Sequence, residues 1–395
     1  MLRRGEDRRL RAGHLWVFSN EIDTASTPLA GLEPGGIVRI LADRGDFIGY
    51  AYANPSTLIT ARLLSRHAMQ AVDAALVASR LREALALRDR LYATPHYRWV
   101  FGESDGLPGL VLDRYGDVVV GQASTLGMER LRPLVEEAIR VVLDPPTFVW
   151  KNDSGARALE GLPSVVESAW GGTPTEIGIV ESWPGGPQLR FAAALADGQK
   201  TGWFYDQAFN RSLLGRFLPS GARVLDVCSY AGGWAATAVS AGASAVTCVD
   251  ASAAALELAG RNVGALGRQA DLRRGDAFTV LGALADAGAQ FDAVIVDPPA
   301  FVKRRKELPQ GRAAYRKLNQ LALRLLSRDG LLVSCSCSFH LAAEDLLGAI
   351  HAAARHSGAD LQVLHAGGQS PDHPVHPAIP ETRYLKAFFC RVRRG

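Results

Sequence analysis

RVLDVCSYAGGWAATAVSAGASAVTCVD, residues 223–250, is the stretch that decides the fold. RVLDVCS is apolar enough for a strand, WAATAVSAG has the composition of a helix, and AVTCVD is a second strand. Asp226 and Asp250 stand near the two strand ends, and Gly232 and Gly233 open the helix. Strand, glycine turn, helix and strand form the repeating unit of a parallel sheet covered by helices. The alternation continues downstream. DLRRGDAF is a short strand with its exit turn, TVLGALADAG a helix, DAVIVDPPAF a strand and AAYRKLNQLALRLL a helix. LLVSCSCS is the next strand and AEDLLGAIHAAARH the next helix. LQVLHAG and LKAFFCRVRR follow with no helix between them, which predicts a terminal antiparallel hairpin. Residues 196–395 are therefore expected to form an α/β doubly wound domain.

Working back toward the N-terminus, the texture changes. The first 69 residues hold short strands broken by Gly and Pro (HLWVFSNEI, GGIVRILADRGDFIGYAYA, LITARLLS), the pattern of a small β-barrel. AVDAALVASRLREALALRDRLYA is a linking helix. WVFGE, GLVLDRYGDVVVGQAS, a helix over 128–142, TFVWKND, EIGIVES and QLRFAAAL then predict a small α+β domain, so that 70–195 is the middle segment. Glu103 and Asp105 lie in its Gly/Pro turn and read as turn polar groups. Two or three domains suit a chain of 395 residues.

Composition narrows the function classes. Hydrophobic residues at 48% and charged residues at 21% describe a folded protein. Lys+Arg number 44 against 40 Asp+Glu, so bulk charge is uninformative, but two runs are basic. MLRRGEDRRLR sets five arginines against two acids, and FVKRRKELPQGRAAYRK sets seven basic residues against one acid. Two such runs favour an anionic polymer as partner. Five cysteines in a long chain are not a disulfide framework. No apolar stretch follows the N-terminal charges and none is long enough to span a bilayer, so a cytoplasmic protein without membrane contact is expected.

Ligands of an open α/β sheet bind beyond the carboxyl ends of the strands, so each exit turn is a candidate site. At the first, Asp226 and the glycine pair suit a backbone that approaches a ligand, although the loop is not GxGxxG. At the second, Asp250 is placed for ribose hydroxyls; at the third, Asp276 can accept from an adenine amine. Three acids at consecutive exits point to an adenosine-containing ligand. The fourth exit, IVDPPAF, is stiffened by two prolines and offers Asp297 to a flat, amine-bearing base, with Phe301 available to stack. At the fifth, strand alternation puts Leu331, Val333, Cys335 and Cys337 on one face, with Cys335 roughly 7 Å deeper. If the fourth and fifth strands are neighbours, Asp297 and Cys337 end side by side. Cys335 and Cys337 lack a second Cys/His pair for zinc and are too far apart along a strand to bridge, so no metal is expected. Cys228, Cys248 and Cys390 read as core thiols.

LDVCSYAGGW, VDASAAALELAGRNV, FDAVIVDPPAF and LLVSCSCSF together resemble a class I S-adenosylmethionine-dependent methyltransferase. RLRAGHLWVFSNEI resembles the PUA RNA-binding barrel, and ESDGLPGLVLDRYGD, DGQKTGWFYDQAFNR and YLKAFFCRV extend the likeness over nearly the whole chain. The nearest family is the bacterial large-subunit (23S) ribosomal RNA cytosine-5 methyltransferase I group. The resemblance implies S-adenosyl-L-methionine as cofactor, with Asp226, Ser229, Gly232 and Gly233 in its loop, Asp250 at the ribose and Asp276 at the adenine. It further implies Lys200, Thr201, Gly202 and Asp206 before the first strand of the sheet, and Asp297 facing the target base. Cys337 matches the family's motif cysteine, and Cys335 stands where the pattern asks for none. Ala300 departs from the lysine common after the two prolines, and no second cysteine follows Pro298-Pro299.

The implied chemistry is 5-methylcytosine formation through a Cys337 adduct at C6, with Asp297 on N3/N4. The implied partner is structured ribosomal RNA; a homodimer is left open. Two other readings stay in view: an amino-group N-methyltransferase on RNA, since D-P-P also cradles exocyclic amines, and a non-catalytic RNA-binding assembly factor.

Overall fold

A computed structural model describes residues 1–183, 187–195, 198 and 201–394, which divide into two compact units. The first contains Met1–Ile179, Ala194–Tyr205 and Asp372–Thr382; the second contains Val180–Ala193, Asp206–Pro371 and Arg383–Gly395.

In the first unit, β1 (Trp16–Phe18), β2 (Ile37–Leu41), β3 (Phe47–Ala53) and β4 (Ile59–Ser65) form an antiparallel sheet ordered β1-β4-β3-β2. Leu10, Val17, Ile40, Ala51 and Leu63 fill its core. The linking helix, Ala74–Leu91, starts where the Asp73 carboxylate accepts the Leu76 N–H at 2.9 Å. It buries Leu76, Leu81 and Ala84 in the core of a five-stranded sheet. That sheet runs β5 (His96–Phe101), β6 (Leu110–Tyr115), β7 (Val118–Ala123), β8 (Thr147–Asn152), β9 (Val165–Trp170) in spatial order. β7 and β8 are parallel because the helix Arg132–Val142 carries the chain back between them. β9 is the strand the sequence does not announce: as an edge strand it is mostly exposed and lacks a buried apolar run. β9 occupies the outer edge of β8, and the two strands expected there pair with each other instead, β10 (Glu176–Glu181) with β11 (Leu189–Ala194).

Tyr52 ties the two sheets of this unit together. It stems from β3, lies in the core of the second sheet, and its hydroxyl bonds Pro108 O at 2.8 Å and Thr125 Oγ1 at 3.0 Å. Its ring covers Gly127, where a Cβ would come within 2.0–2.1 Å of ring carbons. Glu103 and Asp105 are turn residues as expected. Asp105 accepts from the buried Arg88 at 2.6 and 2.8 Å and from the Phe101 N–H at 2.6 Å, while Glu103 accepts from Trp16 Nε1 at 2.9 Å.

The second unit holds the seven-stranded sheet: β12 (Arg223–Val227), β13 (Ala245–Asp250), β14 (Ala270–Arg274), β15 (Phe291–Val296), β16 (Leu326–Ser336), β17 (Ala359–Gly367) and β18 (Lys386–Arg394). The order is β14-β13-β12-β15-β16-β18-β17. The first five strands are parallel, and β18 inserts antiparallel between β16 and β17, the expected terminal hairpin. Val224–Val227 and Ala293–Val296 are buried on both faces, as strands under two helical layers must be. One face packs Leu225, Val227, Val294, Val296 and Leu332 against Leu318, Leu323, Leu346 and Ile350 from the helices Leu308–Arg324 and Ala343–His356. Each such side chain contributes about 1.5–3 kcal/mol through burial. Residues of the opposite parity, Asp226, Ile295 and Cys335 among them, point the other way. The strand order reverses between β12 and β15, which opens a crevice at their carboxyl ends. Among the described residues no helix is long and apolar enough to cross a membrane.

The Tyr52–Gly127 contact gives a direct test of the first unit. Gly127→Ala is expected to lower its stability by about 1–3 kcal/mol through overpacking, seen as a lower urea midpoint of the full chain. An unchanged midpoint would contradict the packing described.

Candidate active site

β12 ends at Val227, and the chain leaves it through an unusual turn. Cys228 (φ 61°) and Tyr230 (φ 47°) both adopt left-handed backbone, sparsely populated for side-chain-bearing residues. The turn is held from β13: Cys228 N and Ser229 N donate to Val249 O at 2.8 and 3.1 Å, and Tyr230 N donates to Asp250 Oδ2 at 3.0 Å. Gly232 (φ 75°) precedes the helix Gly233–Ser240, and a Cβ there would meet Ala259 at 2.8 Å. Close approach of the helix Ala253–Gly264 thus fixes this glycine, in addition to any ligand above it.

Four acids surround this turn. Asp226 is fully buried; its Oδ2 accepts the Ala235 N–H at 3.0 Å and its Oδ1 has no protein partner. Burial, with Asp297 and Asp250 nearby, pushes its pKa up to about 8. The Asp250 carboxylate is oriented by two backbone donors, Tyr230 N and Ser252 N at 2.9 Å. Asp276 is exposed and caps the helix Ala277–Asp286, accepting Thr279 N at 3.2 Å. Asp297 follows β15, and its Oδ2 accepts from Gln207 Nε2 at 3.0 Å and Trp234 Nε1 at 3.1 Å. No other hydrogen bond to its carboxylate occurs among the described residues. Desolvation raises the Asp297 pKa against the pull of those two donors. The Cys228 thiol feels all four acids, which together with burial push it up to about 12. The acids of four separate strand exits therefore share one electrostatic neighbourhood.

The residues before the sheet are placed differently. Asp206 is buried and accepts from Tyr384 Oη at 2.5 Å. Thr201, in the first unit, is buried and bonds Asp113 through its hydroxyl, and Gly202 (φ 120°) lies against Ile177. Lys200 falls outside the described residues.

β15 and β16 pair in the register Val296↔Ser334, which sets Asp297 level with Cys335 and leaves Cys337 two residues higher, just past the strand end. By the strand rise, Cys337 overhangs the Asp297 carboxyl by roughly 7 Å. Cys335 is fully buried beside Gln207, and burial drives its pKa well up. Cys337 is half-buried, and its thiol points to Pro298 O at 4.0 Å, over the peptide that follows Asp297. The two serines beside it are clamped. Ser336 Oγ bonds Tyr315 Oη at 2.8 Å, Ser338 Oγ lies 3.0 Å from the same hydroxyl, and Val302 N donates to Ser338 Oγ at 3.1 Å. Tyr315 thus fixes both neighbours of the half-exposed thiol from below. Phe301 is not a free stacking platform: its ring packs against Tyr315 (4.8 Å between centroids) and Phe278 (6.1 Å), because an apolar ring gains more inside that cluster than in water.

Gln207, Trp234, Tyr315 and Lys386 complete the site and were not singled out by sequence. Trp234 sits within the glycine turn and Tyr315 within a basic run, where neither residue type signals a polar role. Lys386 had a signal, a cation heading the apolar run KAFFC of β18. Among the described residues no cluster of His, Cys, Asp and Glu could hold a metal ion.

This crevice fits an adenosine cofactor that carries positive charge: an oriented carboxylate at Asp250, an exposed one at Asp276, and a buried Asp226 oxygen with no protein donor. Residues 166–391 match the S-adenosylmethionine-dependent methyltransferase family and residues 1–66 the PUA-like domain. The chain is 32% identical over 400 residues to the ribosomal RNA large subunit methyltransferase I of Cronobacter sakazakii, covering 99% of this chain and 98% of that one. With the protein of the same name from Erwinia tasmaniensis it shares 34% over 403 residues, at the same coverage. In fold it resembles the crystal structure of SMU.776, assigned as a methyltransferase and solved with SAH (TM-score 0.81, 22% identity, 98% of this chain and 97% of that one). The chain belongs to the ribosomal RNA large subunit methyltransferase I family, S-adenosylmethionine-dependent enzymes in which a PUA-like domain precedes the methyltransferase domain.

Proposed function

We propose that this enzyme forms 5-methylcytosine in 23S ribosomal RNA, in the cytoplasm, through a covalent Cys337 adduct. The observation that carries the reading is the pairing of a half-buried thiol with a half-buried, hydrogen-bonded carboxyl one layer below it. The working domains are the barrel 1–69, the middle segment 70–195 and the catalytic domain 196–395.

S-adenosylmethionine supplies an electrophilic methyl group on a positively charged sulfur. Asp226, Ser229, Gly232 and Gly233 would line its loop, Asp250 would take the ribose hydroxyls and Asp276 the adenine amine, with Lys200, Thr201, Gly202 and Asp206 contributing from the preceding segment. C5 of cytosine is a weak nucleophile until C6 carries a thiolate. The Cys337 thiolate gives its electron pair to C6, the C5–C6 double bond opens, and negative charge spreads over C5 and N3. Asp297 suits that site: its Oδ2 is held by Gln207 and Trp234, and burial raises its affinity for a proton, which favours a carboxyl that can donate to N3. After C5 is alkylated, loss of its proton restores the double bond and expels the thiolate. The base must first leave its stack to reach the crevice.

RNA as substrate is supported by the basic surface beside the site. Lys303, Arg304, Arg305, Lys306, Arg312, Arg316 and Lys317 are all exposed on the segment that follows Asp297-Pro298-Pro299. Only Arg304 and Arg312 of these form ion pairs among the described residues, with Glu307 and Asp345. Phosphates on either side of the flipped base would meet this surface.

Three outcomes follow from this reading. Cys337→Ser is expected to abolish turnover and the adduct with 5-fluorocytidine RNA, while Cys335→Ser keeps most activity; methylation surviving in the first variant overturns the mechanism, and an N-methylated product identifies the amino-group reading. The triple change Lys303→Ala, Arg305→Ala, Lys306→Ala should weaken RNA binding, flatten its log–log salt dependence by about 0.7–0.9 per lost contact, and leave cofactor affinity unchanged in calorimetry. The third concerns Asp226. Its pKa near 8 lies above that of a free carboxylate, so the ligand-free fold binds the proton more tightly than the unfolded chain does and loses stability as pH rises from about 4 to about 8. A cationic cofactor prefers the ionised form, so binding at pH 7 releases a proton, and affinity climbs toward pH 8 and then levels. Asp226→Asn should remove that part of the pH dependence; identical titrations of the two proteins would count against it.

A further inference from the structure

Lys386 is a buried lysine at the mouth of the crevice, and the proposed cofactor and base contacts leave it without a role. It opens β18 opposite Ser336 of β16, and it is 9% exposed. Its Nζ reaches over the end of β16 to donate to Ser338 O at 2.6 Å and to Tyr384 O at 2.9 Å. Ser338 is the residue after Cys337, so the ammonium is pinned to the same turn that carries the thiol. Two of its three N–H groups are spent on neutral carbonyls, and no carboxylate pairs with it among the described residues. A buried ammonium without a counter-charge is costly, and such groups are kept where an anion forms. Burial lowers its pKa to about 8, and the group that most opposes this is Cys337 itself.

We propose that Lys386 is a positioning residue that holds Cys337 as the thiolate through its ammonium charge. The inference rests on Cys337 being the nucleophile. The thiol proton passes to water, no bond to Lys386 is made or broken, and the ammonium keeps its three protons. Other charged groups around the pair act in known senses. Asp297, where ionised, disfavours a second negative charge, whereas the Tyr315 hydroxyl below the thiol stays neutral. Arg383 reinforces the positive field, and Asp345, itself paired with Arg312, weakens it. A purely structural role, tying the Ser338 turn to β18, would not change how Cys337 titrates, and the two roles separate on that ground.

The experiment is alkylation of Cys337 by iodoacetamide across pH, read by peptide mass spectrometry on the full-length protein without RNA. The other four cysteines provide the background: Cys228 and Cys390 are pushed up to about 12 by burial, and Cys248 and Cys335 are buried and raised as well. In the unaltered protein the Cys337 profile should have its midpoint below the ~8.5 of a free thiol. A midpoint at or above that value overturns the proposal without any variant being needed. Lys386→Met should move the midpoint up by a unit or more, so that alkylation at pH 7 slows about tenfold while rates converge at high pH; Lys386→Arg should restore the original midpoint. Equal midpoints in Lys386→Met and the unaltered protein also overturn it. In turnover, Lys386→Met should lower kcat at pH 7 and shift the optimum to higher pH, with KM for RNA unchanged. Because alkylation involves no cytosine, the two readings fail separately. A lysine-dependent thiolate in a protein that makes no 5-methylcytosine sinks the function, and an unshifted thiol in one that does sinks only the role of Lys386.

Discussion

A parallel sheet covered by helices on both faces has one place for polar chemistry, the ends of its strands. Elsewhere apolar side chains suit both covered faces, as at Val224, Leu225, Val227 and Ala293–Val296. That constraint concentrates Asp226, Asp250, Asp276 and Asp297 at successive exits, and it makes them interact. Burial raises the proton affinity of Asp226 and Asp297, with Asp297 and Asp250 adding to the effect at Asp226 and Asp206 adding to it at Asp297. Burial, reinforced by the same acids, keeps Cys228 protonated although it lies in the midst of the site. A crevice of this kind selects for a cationic ligand before any specific contact is made.

The two thiols at the end of β16 differ in depth. β16 carries Cys335 at the level of the acids and Cys337 above them, and only the upper one has access to solvent. Support for the upper position comes from the opposite face of the sheet, where Tyr315 bonds Ser336 and lies within hydrogen-bond distance of Ser338. Alternation along the strand lets one face hold the backbone while the other presents the sulfur. The serines on both sides of Cys337 are therefore part of its scaffold, whatever chemistry the cysteine performs.

How far the sequence could be read follows from the kind of signal each part emits. The alternation of strands and helices after residue 196, the terminal hairpin and the acids at the exits were legible because each repeats a local pattern. The depth difference between Cys335 and Cys337 was legible from period-two alternation alone. β9 was not, because an exposed edge strand has no apolar run to announce it. Phe301 was expected to stack on a base and instead joins Phe278 and Tyr315, a choice settled by a helix whose position no local pattern gives. Gln207, Trp234 and Lys386 escaped for the same reason: each acts across 48 to 90 residues along the chain, through contacts that only the folded topology creates.

The placement of β18 has a consequence for the order of events during synthesis. It is the last strand of the sheet to emerge and yet lies inside it, hydrogen-bonded to β16 on one side and β17 on the other. Until residues 386–394 leave the ribosome, β16 presents an open edge and β17 has no partner in the sheet. The nascent chain thus carries the cofactor loop and Cys337 well before the strand that completes their support. Maturation of the crevice therefore waits for this strand, because closing the gap between β16 and β17 also delivers Lys386 to the turn beside the thiol.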